Sequence, residues 1–141
     1  MMFAVCFFGF GCRPSLDDLT IWKAEARSPD GHWVAVARTI QNGGFGTGAL
    51  DTRVYLSQSN SSEPPREVLV FDCSGPVPRP YVLDNVANAS VIDLAMRWTA
   101  PTHLDVAYNG RKATLSYQVH NWNGVDVSAR DALSETTSNE P

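Results

Sequence analysis

Charge is scarce in this chain of 141 residues, with Asp, Glu, Lys and Arg together making up 18% of it. The 11 basic residues stand singly, Arg111-Lys112 being the nearest approach to a cluster, and the formal net charge is -4. Nucleic-acid binding needs clustered Lys and Arg facing phosphates, so no nucleic-acid partner is expected. No stretch of about ten residues carries an apolar stripe at helical spacing, which excludes long amphipathic helices. No apolar run reaches the roughly 20 residues that cross a bilayer as a helix. There is no Gly-x-Ser-x-Gly elbow and no Gly-Lys-Ser/Thr phosphate loop. The 3 His and 3 Cys show no metal-motif spacing. No catalytic, cofactor-binding or metal-ligating residue is therefore assigned, and no cofactor is expected.

What is present begins with an uncharged apolar opening. Residues 1–12 read Met-Met-Phe-Ala-Val-Cys-Phe-Phe-Gly-Phe-Gly-Cys. Too short to span a membrane, the run fits the apolar core of a secretory signal, although no Lys or Arg precedes it. Gly9-Phe10-Gly11-Cys12 resembles the lipobox of bacterial lipoproteins, in which small residues precede a Cys that is lipidated and becomes the new N-terminus. Gly11 and Cys12 match that pattern; Gly9 and Phe10 depart from it, a Leu-like and a smaller residue being usual there. The resemblance implies an exported protein held at the membrane of the bacterial cell envelope, facing the periplasm, through lipid on Cys12. If Cys6 leaves with the signal and Cys12 carries lipid, Cys73 stands alone and is read as a small packing residue. Without cleavage, a pair such as Cys12–Cys73 stays open.

Behind this opening the chain is punctuated at short intervals. Residues 13–18 form a polar joint, 19–130 a β domain and 131–141 a polar, disordered tail. Strand-like runs occur at 19–26, 32–40, 52–56, 66–71, 91–99, 103–108, 113–120 and 125–127. The clearest alternation lies at 91–99, with Ile92, Leu94, Met96 and Trp98 on one side and Asp93, Ala95 and Arg97 on the other. Ser28-Pro29-Asp30-Gly31, Asn109-Gly110 and Asn123-Gly124 are turn signals, and Asn109-Gly110 predicts a hairpin. About eight strands joined by short turns predict an all-β fold: one antiparallel sandwich or curled sheet. Trp22, Trp33, Trp98 and Trp122 each lie in or beside a strand and are expected to anchor the core.

Ser28-Pro29-Asp30-Gly31-His32-Trp33-Val34-Ala35 resembles the strand–turn–strand joint of TolB-type β-propeller repeats. A fainter echo, Trp98-Thr99-Ala100-Pro101-Thr102-His103-Leu104, follows about 70 residues on. A propeller needs at least about four blades of roughly 40 residues, more than this chain holds. The resemblance therefore implies a hairpin and no activity. The layout as a whole resembles the small, uncharacterised exported proteins of bacteria.

Function is expected to be that of a binding or structural module without catalytic activity. Partner-binding candidates are Phe45, in the Gly-rich loop Gly43 to Gly48, and Pro78, Arg79 and Tyr81, in a proline-rich strip that also suits a crossover between the two halves of the fold. One alternative is a small hydrolase built from His32 and His103 with Asp30 and Asp105; the two His occupy matching places in the hairpin echoes and could also share a zinc ion. The other is an immunity or inhibitor protein, whose acidic domain would suit a basic protein partner.

Overall fold

In the computed structural model, residues 20–42, 49–73 and 90–133 are described. The signal-like segment 1–12 and the joint 13–18 lie outside them. Alternating side chains and β-branched residues put nine strands into the described part: β1 (Thr20–Arg27), β2 (Trp33–Asn42), β3 (Ala49–Gln58), β4 (Arg66–Cys73), β5 (Ala95–Ala100), β6 (His103–Tyr108), β7 (Ala113–Gln118), β8 (Asn121–Trp122) and β9 (Val125–Asp131). They form a five-stranded sheet, β1-β2-β3-β4-β7, and a four-stranded sheet, β5-β6-β9-β8. The fold is all-β, a sandwich of two sheets, neither a closed barrel nor a propeller.

The period of two in each strand sends one set of side chains inward. Ala35 pairs with Leu56 and Ala37 with Val54 across β2 and β3, and Leu104, Val106, Val125 and Val127 face them from β6 and β9 as one buried cluster. Trp33 is buried and meets Trp122 edge-on, ring centroids 5.7 Å apart. Trp22 and Trp98 pack partly buried against the same cluster. Trp98 also donates its indole Nε1–H to the Ala26 carbonyl at 3.1 Å, tying β5 to β1. The four tryptophans thus do anchor the core.

Three features depart from the sequence expectations. First, Asn109-Gly110 does not close a hairpin. β6 pairs with β9, and in parallel, while β7 crosses to pair antiparallel with β4 in the other sheet. The connection is a sheet-to-sheet crossing held by side chains: Asn109 Oδ1 accepts from Arg111 N at 3.0 Å, and Asp131 Oδ1 accepts from Gly110 N at 3.0 Å. Second, this parallel pair breaks an otherwise antiparallel pattern. A chain that leaves one sheet and returns to it can come back in the same direction, which a short hairpin cannot do. Third, the run 91–99 is strand only from Ala95 onward. Asp93 sits at φ 53°, its carboxylate gripped by Asn109 Nδ2 at 3.0 Å and Lys112 Nζ at 3.1 Å. Burial nevertheless alternates through the kink, with Ile92 buried and Asp93 exposed.

Candidate functional site

Side chains with chemical potential gather at three places. The first is the turn between β1 and β2. Pro29 and Asp30 occupy its bend and Gly31 takes φ 75°, a left-handed conformation that glycine adopts without strain. Asp30 Oδ1 accepts from Ser28 Oγ at 2.6 Å and from His32 N at 3.2 Å, and Oδ2 lies 3.0 Å from His32 Nδ1. Ser28 Oγ in turn accepts from Trp33 N at 3.0 Å. A cleft of about 320 Å³ opens beside it, lined by His32, Trp33, Gln58 and Asn60.

These bonds favour the ionised carboxylate. Ser28 above all, then the His32 N–H, hold the Asp30 carboxyl below its ordinary pKa. A folded-state pKa that is depressed stabilises the fold at pH values above the unfolded-state pKa. That contribution is lost as the pH falls below the ordinary carboxyl range, about 4. The expected result is that Asp30→Asn lowers the urea midpoint near neutrality, and that its deficit against the wild type shrinks on acidification to about pH 2. A deficit that stays constant with pH would refute the assignment.

The second place is the outer face of the four-stranded sheet. In the parallel register Asp105 stands opposite Ser128, and the i, i+2 spacing puts His103 and Asp105 on one face of β6, Ser128 and Arg130 on the same face of β9. His103 Nε2 lies 3.0 Å from Ser128 Oγ, Ser128 Oγ donates to Asp105 Oδ1 at 3.2 Å, and Arg130 Nε donates to Asp105 Oδ2 at 2.9 Å. The residue types are those of a hydrolytic triad, but the order differs. A triad places the imidazole between carboxylate and hydroxyl, so that it can take the hydroxyl proton. Here the hydroxyl is in the middle, with its proton directed to a carboxylate that an arginine already neutralises. The arrangement is suited to pinning β6 to β9.

His32 and His103 thus belong to separate networks, and no hydrogen bond joins them among the described residues. No group of three His, Cys, Asp or Glu that could hold a metal ion occurs among those residues either. Phe45, Pro78, Arg79, Tyr81 and the lipidation candidate Cys12 lie outside the described residues. Cys73, at the end of β4, contacts Thr52 Oγ1 through its Sγ at 3.4 Å, and burial pushes its thiol pKa up. A thiol so placed has little thiolate and packs as a small side chain.

The third place was not visible in the sequence as a cluster. On the outer face of the five-stranded sheet, Lys23, Val36, Arg38, Tyr55, Ser57 and Pro65 line an open cleft of about 340 Å³. The Arg38 guanidinium lies over the Tyr55 ring, 4.9 Å from its centroid, a cation–π contact. Beside it Arg53 bridges Asp51 at 3.4 Å and Glu67 at 3.1 Å. Burial works against the charge on Arg53, and the two carboxylates outweigh it, so its pKa is raised. No protein-family profile matches this chain, and neither a curated protein nor a solved structure is significantly similar to it.

Proposed function

We propose that this protein is a non-catalytic binding module of the bacterial cell envelope, anchored through lipid on Cys12. The observation that carries the non-catalytic part is the order of groups around Ser128. Its hydroxyl proton is directed to Asp105, and Arg130 occupies that carboxylate's other oxygen. The groups that could do chemistry are engaged in holding strands and turns, while polar clefts are open at the β1–β2 turn and on the outer face of the five-stranded sheet. Rigid sheets displaying such surfaces suit recognition of another molecule.

The anchor rests on the small-residue-then-Cys ending of the apolar opening. Metabolic labelling of the expressed chain with an alkyne analogue of palmitate is expected to mark the wild type and to leave Cys12→Ala unmarked. An unlabelled wild type, or label persisting in Cys12→Ala, would remove the anchor from the reading.

A further inference from the structure

The basic residues that stand singly along the chain are assembled by strand pairing. Lys23 is directly opposite Arg38 in the β1–β2 register, and Arg38 is directly opposite Arg53 in the β2–β3 register. Three cations therefore stand in one row across three adjacent strands, spaced by about 4.8 Å per strand and spanning roughly 10 Å. Like charges facing one another across strands are destabilising, so such a row is a cost to the fold unless something else answers it.

Carboxylates answer part of it. Arg53 is bridged by Asp51 and Glu67, and Glu25 on β1 is taken by Arg27 at 3.4 Å. Asp72 lies further away, on β4 opposite Asp51. The other end of the row is different. Lys23 is exposed and has no ion pair among the described residues. The cleft it shares with Arg38 is lined by two cations and no carboxylate. Its remaining lining is Val36 and Pro65, the Tyr55 ring and the Ser57 hydroxyl, which offer apolar contact and a hydrogen bond.

Resting on the binding-module reading, we infer that this cleft receives an acidic segment of a partner protein, with one Asp or Glu carboxylate seated at Lys23 and Arg38 and neighbouring apolar atoms on Val36, Tyr55 and Pro65. Both charges of the lining complement a carboxylate. The cleft is an open depression on a sheet face, which suits a segment laid over it. A nucleic-acid strand carries a charge at every nucleotide, and beyond the first one or two phosphates it would meet Asp51, Glu67 and Asp72. The chain-wide net charge of -4 would suit a basic partner; this face has the opposite preference.

The test uses a fluorescein-labelled octapeptide of alternating glutamate and alanine as the probe, followed by anisotropy. An alternating lysine–alanine peptide and an oligothymidylate serve as comparisons. The glutamate peptide is expected to bind with half-saturation below about 1 mM, weakening as salt is raised. Its addition will shift the backbone amide NMR signals of Lys23, Val36 and Tyr55. Lys23→Glu will weaken binding by about tenfold or more, while Lys23→Arg retains it. Because Lys23 is exposed, an unchanged urea midpoint will verify that Lys23→Glu is folded. No binding by the glutamate peptide, equal binding by Lys23→Glu, or tighter binding of either comparison ligand would overturn the inference. A partner recovered from envelope extracts equally by the wild type and by Lys23→Glu would overturn it as well, and would leave the binding-module reading in place.

Discussion

Phe71→Ala is expected to lower the unfolding free energy by about 3–5 kcal/mol. Phe71 is fully buried on β4, and its ring lies 4.7 Å from that of Tyr108 on β6. It therefore fills space between the two sheets, where no single strand can move in to close a cavity. The loss combines the transfer energy of the ring with the void left behind. Domains of this size are stable by only about 5–15 kcal/mol, so the variant will sit near the edge of folding. The measurement is a urea titration, with a lowered midpoint at unchanged slope. Tyr117, on the outer face of the five-stranded sheet and 42% exposed, is the control. Tyr117→Ala should change stability by no more than about 0.5 kcal/mol. Similar costs for the two variants would contradict the placement of the core.

The second large effect concerns two buried hydroxyls. Thr39 on β2 and Thr52 on β3 are directly opposite and fully buried. Their Oγ1 atoms are 2.7 Å apart, and Thr52 Oγ1 also contacts Cys73 Sγ. Thr52→Val keeps the shape and removes the partner of Thr39. A buried polar group left without its partner costs about 1–3 kcal/mol. Replacing both partners removes the orphan along with the bond, so Thr39→Val/Thr52→Val should cost less than the two single changes added together. A coupling of about 1 kcal/mol or more in a double-mutant cycle is the expected reading. Strict additivity would show that the hydroxyls do not depend on each other.

Much of the architecture could be read along the chain because it is written in local terms. The turn at Ser28-Pro29-Asp30-Gly31 forms as expected, since Pro, Asp and Gly each supply part of the bend without help from distant residues. The run His103 to Tyr108 is the strand β6 at the same bounds. The alternation around Ile92 to Trp98 correctly divides buried from exposed side chains, even where Asp93 kinks the backbone. Asn109-Gly110 was misleading for a physical reason. The dipeptide specifies a tight reversal, but the partner of the following strand is selected by which sheet edge offers hydrogen bonds and apolar surface. β7 found both on β4.

By itself, the sequence determined that this is a β protein with a buried tryptophan-anchored core, because the period of two and the turn residues act within a few positions of one another. It also determined the oily opening that ends at Cys12. Only the tertiary structure decided that β6 and β9 run parallel, that Ser128 lies between His103 and Asp105, and that Lys23, Arg38 and Arg53 form one row. Residues about fifteen positions apart become neighbours when strands pair at about 4.8 Å. Register is a property of the folded sheet, so charges that look scattered along the chain converge only after pairing.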